Sequence, residues 1–288
     1  MMINRDKTFK TALFICAAAS ALATLLIFGF LLVFGLPLFK GGQFFLLLGR
    51  PWAPGQGMYG FLPMIAGTAA ISLLSLVVAF PISLGVSFFL HSLAPAALGK
   101  ILKRLVQFMT GVPTVIYGFI GVFLLVPLIR EMFENGSGMC VLSASLMLGL
   151  LISPTMILFF SDGFAAVDKK YIQAARALGA TRVQTLLFVV LPNAWRGLMT
   201  GLIMALGRAM GDTLIALMIA GNAVNVPSSL LDPARTLTSH IALVSAADYH
   251  SMEFKSIFAC GVTLYLLNAA AVIAIRRFGA VGKDKAHV

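Results

Sequence analysis

Six long apolar stretches constrain the fold of this sequence more than any other feature. A helix that crosses a lipid bilayer needs roughly 20 mostly apolar residues, and each stretch has about that length. Because 60% of the chain is hydrophobic and only 11% is charged, lipid rather than water must surround most of it. We therefore predict an all-α integral membrane protein with six spanning helices. The predicted spans are Leu13 to Leu36, Leu62 to Leu90, Leu105 to Ile129, Val141 to Ser161, Leu198 to Ala220 and Ile257 to Ile275.

The first stretch has some features of a cleaved signal, with basic residues before it and small residues from Ser20 to Ala23. Its apolar run continues to Phe34, however, which is longer than the apolar region of a signal peptide. We expect it to be retained as a membrane anchor.

The distribution of charge predicts the topology. With the N-terminus inside, the cytoplasmic segments hold 15 of the 21 Lys and Arg residues and four acids, a net charge of 15 minus 4, or +11. The outer segments hold five basic and five acidic residues. This positive-inside pattern predicts a multi-pass protein of the cytoplasmic (inner) membrane with both termini in the cytoplasm. Topology accounts for the basic charge, so no nucleic-acid partner is expected.

We expect residues 1–288 to form a single transmembrane domain, with a cytoplasmic loop at residues 162–196 inside it. The three Cys and four His residues are scattered without ligand spacing, so no metal site is expected. The outer segment 222–254 contains an apolar-polar stretch from Leu237 to Ala246. Two interpretations of that stretch stay open, a short interfacial helix and an ordinary surface loop.

The cytoplasmic loop has the pattern of a helix-turn-helix. Strong helix formers run from Lys170 to Leu178, and Gly179 follows, where a residue without Cβ permits the left-handed turn that ends a helix. Thr181 can cap a second helix from Arg182 to Val190, which is expected to end near Leu191-Pro192 because a residue before proline disfavours the helical conformation.

This loop resembles the EAA loop of the permeases of ATP-binding-cassette (ABC) importers. The family pattern is Glu-Ala-Ala, three residues, Gly, nine residues, an aliphatic residue, one residue, and Leu-Pro. This sequence has Gln173 where the family usually has Glu, which removes a possible ion pair but keeps hydrogen bonding. The matching residues are Gln173, Ala174, Ala175, Gly179, Val189, Leu191 and Pro192.

The resemblance implies a MetI-like permease fold whose first loop helix is a coupling helix that docks on an ATPase subunit. No Gly-x-x-x-x-Gly-Lys-Ser/Thr phosphate loop occurs in the sequence. We therefore expect no cofactor in this chain and expect ATP-Mg to be bound, and ATP hydrolysed, by a separate partner. The permease itself is not expected to be an enzyme.

The predicted fifth span contains two charged residues, Arg208 and Asp212. A charge at the centre of a bilayer costs about 2.5 to 3.5 kcal/mol on insertion scales, so it usually faces a partner or an aqueous pathway. Four residues apart on a continuous helix, the two side chains would share a face and could pair. From the residues alone, a structural ion pair and an anion pathway are equally good interpretations.

Four glycines in the same span have the spacing of a close-packing helix. Gly197 precedes Gly201 by four residues, and Gly207 precedes Gly211 by four. Such small-x-x-x-small steps let helix backbones approach one another in a membrane. We predict that this helix packs closely on a neighbour at these glycines.

The segment Gly207-Arg208-Ala209-Met210-Gly211-Asp212-Thr213 is similar to the Gly-Arg-Ala-x-Gly-Glu-Thr segment of phosphate importer permeases. Further matches include Tyr59 to Pro63, Gly111 to Gly118 and Leu231 to Thr238, and together they resemble the PstC type. The resemblance implies that Arg208, Asp212 and Thr213 lie on the substrate pathway, with Asp in place of the family Glu at 212. It also implies a second, PstA-type permease subunit, ATPase subunits and an extracytoplasmic phosphate-binding protein as partners.

The expected function is therefore that of a transmembrane permease in an ATP-driven phosphate importer. The same machine could carry another oxyanion, such as molybdate, sulfate, phosphite or a phosphonate, because an arginine suits any of them. A passive anion channel would not need the EAA loop. A membrane enzyme would need a convergent set of catalytic groups, of which the spans show only Arg208 and Asp212.

Overall fold

A computed structural model describes residues 2–35, 51–133, 136–248 and 251–284. The described chain is almost entirely helical, with a small hairpin that pairs Trp52–Ala53 with Met58–Tyr59 as antiparallel strands β1 and β2. The helices are α1 Met2–Gly35, α2 Leu62–Phe88, α3 Ala96–Thr110, α4 Thr114–Ile120, α5 Val126–Phe133, α6 Val141–Ala165, α7 Lys169–Ala177, α8 Arg182–Thr185, α9 Leu191–Asn193, α10 Trp195–Gly211, α11 Leu214–Ile219, α12 Leu237–Val244 and α13 Met252–Asp284.

Three π-helical turns extend or join these helices. Phe89–Leu93 extends α2, Gly121–Leu125 joins α4 to α5, and Leu186–Val190 joins α8 to α9. By length and composition, five helical stretches among the described residues can cross a membrane, and a sixth is added if a pair bent by 68° at Ala194 counts as one span. The predicted all-α membrane fold is confirmed.

The third predicted span, Leu105 to Ile129, begins too early. The candidate span runs from Thr114 to Phe133, while Leu105 belongs to the separate helix α3. Pro113, with a ψ of 140°, lies between the two helices. It interrupts the helix because proline lacks the N–H that would continue it and disfavours helical geometry in the preceding residue.

The fifth predicted span, Leu198 to Ala220, is not one continuous helix. Helix α10 begins three residues earlier and ends at Gly211, Asp212 is extended with ψ of 129°, and α11 starts at Leu214. The prediction that Arg208 and Asp212 share one helical face is therefore wrong, since Asp212 lies in the break.

The core forms where α2, α6 and α10 pack on one another. Small residues allow α2 and α6 to approach closely: a Cβ added at Gly149 would lie 3.2 Å from the backbone oxygen of Ser75, and the Ser83 hydroxyl donates to the backbone oxygen of Ser153 at 3.2 Å. Helix α6 is the most buried of the candidate spans. It therefore serves as the support against which the other helices are placed.

The outer segment contains the helix α12, Leu237–Val244, which resolves the open question about that stretch in favour of a helix. Its first turn is capped by Thr236, whose hydroxyl oxygen accepts from the backbone N–H of Ser239 at 3.1 Å. Leu237 and His240 are fully buried, and the His240 ring lies 4.3 Å from the Trp52 ring, edge to face. The helix is thus packed into the protein rather than being an exposed surface element.

Candidate functional site

The break between α10 and α11 opens onto a cavity of about 430 Å³. The side chains around it are half-buried or exposed in the isolated chain. One wall comes from the start of α4 and the rest from the broken helix. The lining residues are Thr114, Gly207, Arg208, Gly211, Asp212, Thr213 and Leu214.

Arg208 brings a full positive charge to this cavity from the last turn of α10. One guanidinium nitrogen, Nη1, donates to the hydroxyl of Thr155 on α6 at 3.0 Å. This bond holds the side chain against the most buried helix, while a guanidinium has further N–H donors in a planar fork. Such a fork matches the oxygens of a phosphate or carboxylate group.

The Asp212 side chain does not form the ion pair with Arg208 that is one of the two interpretations of the sequence. Its carboxylate oxygen Oδ2 accepts from the backbone N–H of Ile215 at 2.9 Å, which satisfies one of the free N–H groups at the start of α11. Within the described residues, no ion pair joins it to Arg208. The two side chains are therefore not in direct contact, although their opposite charges interact through space.

The outer segment fixes the backbone at the break. The Thr238 hydroxyl on α12 donates to the backbone oxygen of Asp212 at 2.7 Å, and the Thr68 hydroxyl oxygen on α2 accepts from the backbone N–H of Leu237 at 2.9 Å. A backbone oxygen freed by a helix break needs such a partner when buried. The external segment and the cavity are therefore directly connected.

Helix α11 rests on two glycines of the segment that follows Thr114. A Cβ at Gly118 would lie 2.6 Å from Met218 Sδ, and one at Gly121 would collide with the end of the Ile219 side chain. The two walls of the cavity, α4 and the broken helix, are thus in close mutual contact.

The glycines of α10 divide into two pairs. A Cβ at Gly197 would lie 2.6 Å from the Cα of Gly163 on α6, and one at Gly201 would lie 2.8 Å from Phe160. By contrast, a Cβ added at Gly211 would have no atom within 4 Å, and one added at Gly207 would have only Asn268 Oδ1, at 4.0 Å. Within this chain, the prediction of close packing is therefore wrong for Gly207 and Gly211, which line the cavity instead.

The cytoplasmic loop has the expected helix-turn-helix form. Helix α7 runs one residue earlier than predicted, with the Asp168 carboxylate accepting from the backbone N–H of Lys170 at 2.9 Å. Gly179 has a φ of +82°, the left-handed conformation that favours glycine. Thr181 and Gln184 form a capping box at the start of α8.

The residues of the EAA pattern are largely accessible on this loop. Gln173, Ala174, Gly179 and Pro192 are exposed, and Ala175 and Leu191 are half-buried. Leu178, next to the turn, is 89% exposed.

Three threonines at the site were not singled out from the sequence: Thr114 at the cavity wall, Thr155 beside Arg208, and Thr238 on the Asp212 backbone oxygen. For Thr155 a signal existed, because it follows Pro154 inside a predicted span and a polar side chain there needs a partner.

The fold and these two sites define a class of protein, the membrane-spanning permeases of ABC transporters. Residues 82–280 match the family model described as "Binding-protein-dependent transport system inner membrane component", and the chain belongs to this family. It is a multi-pass inner-membrane component.

Its relatives include permeases named for phosphate transport, so the resemblance to the PstC type is confirmed. The chain is 34% identical over 219 residues to a probable ABC transporter permease protein, YqgH, of Bacillus subtilis, covering 76% of this chain and 71% of the relative. It is 29% identical to the phosphate transport system permease protein PstC of Pasteurella multocida, covering 96% and 90%. The probable PstC of Methanocaldococcus jannaschii is 30% identical, covering 84% and 83%.

Solved structures share the fold at low identity. The MetNI methionine ABC transporter in an inward-facing conformation matches with a TM-score of 0.58 and 18% identity, covering 80% of this chain and 97% of that chain. A bacterial ABC transporter for the acidic polysaccharide alginate matches with a TM-score of 0.59 and 13% identity, covering 91% and 97%. These likenesses support the MetI-like architecture.

Proposed function

We propose that this permease belongs to an ATP-driven importer and moves inorganic phosphate across the cytoplasmic membrane. The observation that carries the proposal is Arg208, a cation without a direct acid partner among the described residues, at a helix break that faces a cavity of about 430 Å³. The PstC-named relatives support phosphate as the cargo.

Arg208, Asp212 and Thr213 form the substrate pathway in this proposal. The guanidinium of Arg208 binds the anion transiently, since a permease must bind its cargo weakly enough to release it. Asp212 stabilises the break by capping α11, and its backbone oxygen is held by Thr238. The chain forms and breaks no covalent bond.

In this proposal, the two ends of the molecule contact different partners. ATPase subunits that bind ATP-Mg dock on the exposed coupling residues Gln173 and Ala174, next to Leu178. On the other side, an extracytoplasmic phosphate-binding protein delivers the anion near the segment that contains α12. A second, PstA-type permease completes the walls of the cavity, and both termini of this chain lie in the cytoplasm.

Competition between oxyanions tests the choice of cargo. The assembled transporter, purified through a tag on this chain with its binding protein, is placed in proteoliposomes and supplied with ³²P-labelled phosphate. We expect a hundredfold excess of sulfate or molybdate to leave the uptake rate unchanged and unlabelled phosphate to abolish it. Strong inhibition by sulfate or molybdate would assign the machine to another oxyanion.

A further inference from the structure

Helix α3 has an amphipathic surface that the transport function does not use. Its exposed apolar residues Leu98, Ile101, Leu105 and Phe108 follow one another at steps of three or four, so they form a single stripe along the helix. Phe108 is 74% exposed. On the opposite side, at 100° per residue, lie Lys100 and Lys103.

A second cavity, of about 310 Å³, lies beside the basic side of α3. Part of its lining is apolar, from Leu90, Ala94 and Ala165, and part is basic, from Lys100 and Lys103. Within the described residues, neither lysine forms an ion pair with an acid. Two unpaired cations beside one cavity repel each other, so an anion that binds between them is favoured.

A buried hydroxyl in the same cavity also lacks a partner. The Ser161 side-chain oxygen on α6 is shielded from solvent and forms no hydrogen bond with any described residue, and Ser161 is one of the residues that line the cavity. A buried hydroxyl without a hydrogen-bond partner destabilises the protein. A ligand oxygen that accepts from it would remove this destabilisation.

The cavity lies at the end of the molecule that contains the cytoplasmic loop. His91 lines both this cavity and a neighbouring one formed by Arg176, Arg182 and Thr185 of the loop. By the positive-inside distribution, this end faces the cytoplasmic leaflet. Basic pockets between membrane helices on that side are suited to lipid headgroups.

We propose that this cavity binds an anionic phospholipid of the cytoplasmic leaflet, with α3 lying in the membrane interface. The headgroup phosphate contacts Lys100, Lys103 and the Ser161 hydroxyl, and an acyl chain follows Leu90 and Ala94. The exposed stripe from Leu98 to Phe108 enters the adjacent acyl region, as expected of an interfacial amphipathic helix. The mixed apolar and basic lining favours a lipid over a small anion, because only the lipid has an acyl chain that can contact the apolar wall.

Such a lipid would influence the pathway through α3. The Tyr117 hydroxyl on α4 donates to the backbone oxygen of Met109 on α3 at 3.2 Å, and Thr114 at the start of α4 lines the Arg208 cavity. The position of α3 in the interface is thus connected to one wall of the pathway.

Native mass spectrometry of the assembled transporter tests this proposal without measuring transport. Phosphatidylglycerol and phosphatidylcholine with identical acyl chains are titrated against the wild type and against Lys100→Gln/Lys103→Gln. A lysine that contacts the headgroup phosphate is expected to contribute about fivefold to the binding of an anionic lipid, so the double variant should bind phosphatidylglycerol about twenty-five-fold more weakly. The control Arg276→Gln/Arg277→Gln removes the same charge from exposed residues at the end of α13 and should change binding less than twofold.

Three results would overturn the proposal. One is equal retention of the two lipids by the wild type, and another is an equal effect of the two double variants. The third is displacement of phosphatidylglycerol by inorganic phosphate or glycerol 3-phosphate at the same concentration, which would identify a small-anion site. None of these results depends on the cargo, so they leave the phosphate proposal untouched.

Discussion

Arg208 forms one hydrogen bond among the described residues, to Thr155 on the most buried helix, and it lines the cavity. Since a hydrogen bond to a charged group contributes about 1.5 to 3 kcal/mol, Arg208→Gln should slow phosphate uptake by at least tenfold while the transporter still assembles. Arg208→Lys keeps the charge but loses the planar fork, so its uptake should be intermediate. Initial rates of ³²P-phosphate uptake in proteoliposomes measure both. Arg277→Gln, an exposed arginine elsewhere, is the control, and wild-type uptake by Arg208→Gln would exclude the pathway role.

His240 makes the packing of the outer segment sensitive to acid. Its ring is fully buried with neither nitrogen hydrogen-bonded among the described residues, and burial, with a smaller effect of Arg235, lowers its pKa to about 4. Between pH 6.5 and about 4, His240 is therefore protonated in the unfolded state but neutral in the folded state. Stability is therefore lost as the pH falls from about 6.5 towards 4, by roughly 3 kcal/mol at 1.4 kcal/mol per pH unit.

The variant His240→Phe keeps an aromatic ring beside Trp52 and removes the titrating group. When the pH is lowered from 7 to 5, the melting temperature of the purified transporter should fall further for the wild type than for this variant. Equal losses in the two proteins would show that His240 does not carry the acid sensitivity.

At the scale of elements, the crossing of α6 and α10 depends on the absence of a side chain at Gly197. A Cβ there would lie 2.6 Å from the backbone of Gly163, so Gly197→Ala should displace α10 and destabilise the protein by about 1–3 kcal/mol. Gly85→Ala in α2 is a matched control, because a Cβ added there would have no atom within 4 Å and alanine favours a helix. Thermal melting should show a loss for the first variant only, and an unchanged melting temperature for Gly197→Ala would contradict the close crossing.

The turn at Gly179 provides a test of the coupling loop. Gly179 has a φ of +82°, and a Cβ added there would have no atom within 4 Å. A substitution at this position therefore introduces conformational strain but no steric clash. Gly179→Val should shift the coupling helix and lower the phosphate moved per ATP hydrolysed, whereas Gly179→Asn, which tolerates the left-handed conformation better, should retain most of it. Paired measurements of ATP hydrolysis and uptake give this ratio, and equal ratios for Gly179→Val and the wild type would argue against the coupling role.

The helix-turn-helix form of the loop at residues 162–196 could be predicted from the sequence because its determinants are local. Gly179 and the Thr181 capping box act within a few residues, and α7 begins within one residue of its predicted start. The start of α4 had a local signal too, in Pro113, but the apolar run across it favoured a longer span.

The helix break at Asp212 could not be predicted in the same way. Residues 198–220 contain no proline, and the local signal at the break, Gly211 followed by Asp212 as a cap for Ile215, lies inside a long apolar run that favoured a single span. The partners of the break come from distant elements, with Thr238 donating from 26 residues away and Thr155 contacting Arg208 across 53 residues. Tertiary contacts of this kind override helix propensity, so the cavity could be located from Arg208 but its geometry could not.

At the scale of the whole molecule, the external segment, the cavity and the coupling loop lie along one chain of contacts. Helix α12 bonds to the break at Asp212, α10 continues from the break to Trp195, and a bend of 68° separates it from the second half of the loop. A movement of the loop can therefore reach the break through α10. Alternating access, the mechanism expected of the proposed importer, requires such a connection between the loop and the cavity.

The most direct test of this account is the accumulation of ³²P-labelled phosphate by proteoliposomes that contain the assembled transporter and its binding protein, with or without ATP at the ATPase side. The account predicts that ATP drives the internal phosphate concentration above the external one and that no uptake occurs without ATP. ATP-independent flux that stops when the two concentrations are equal would contradict it and would identify a passive anion channel.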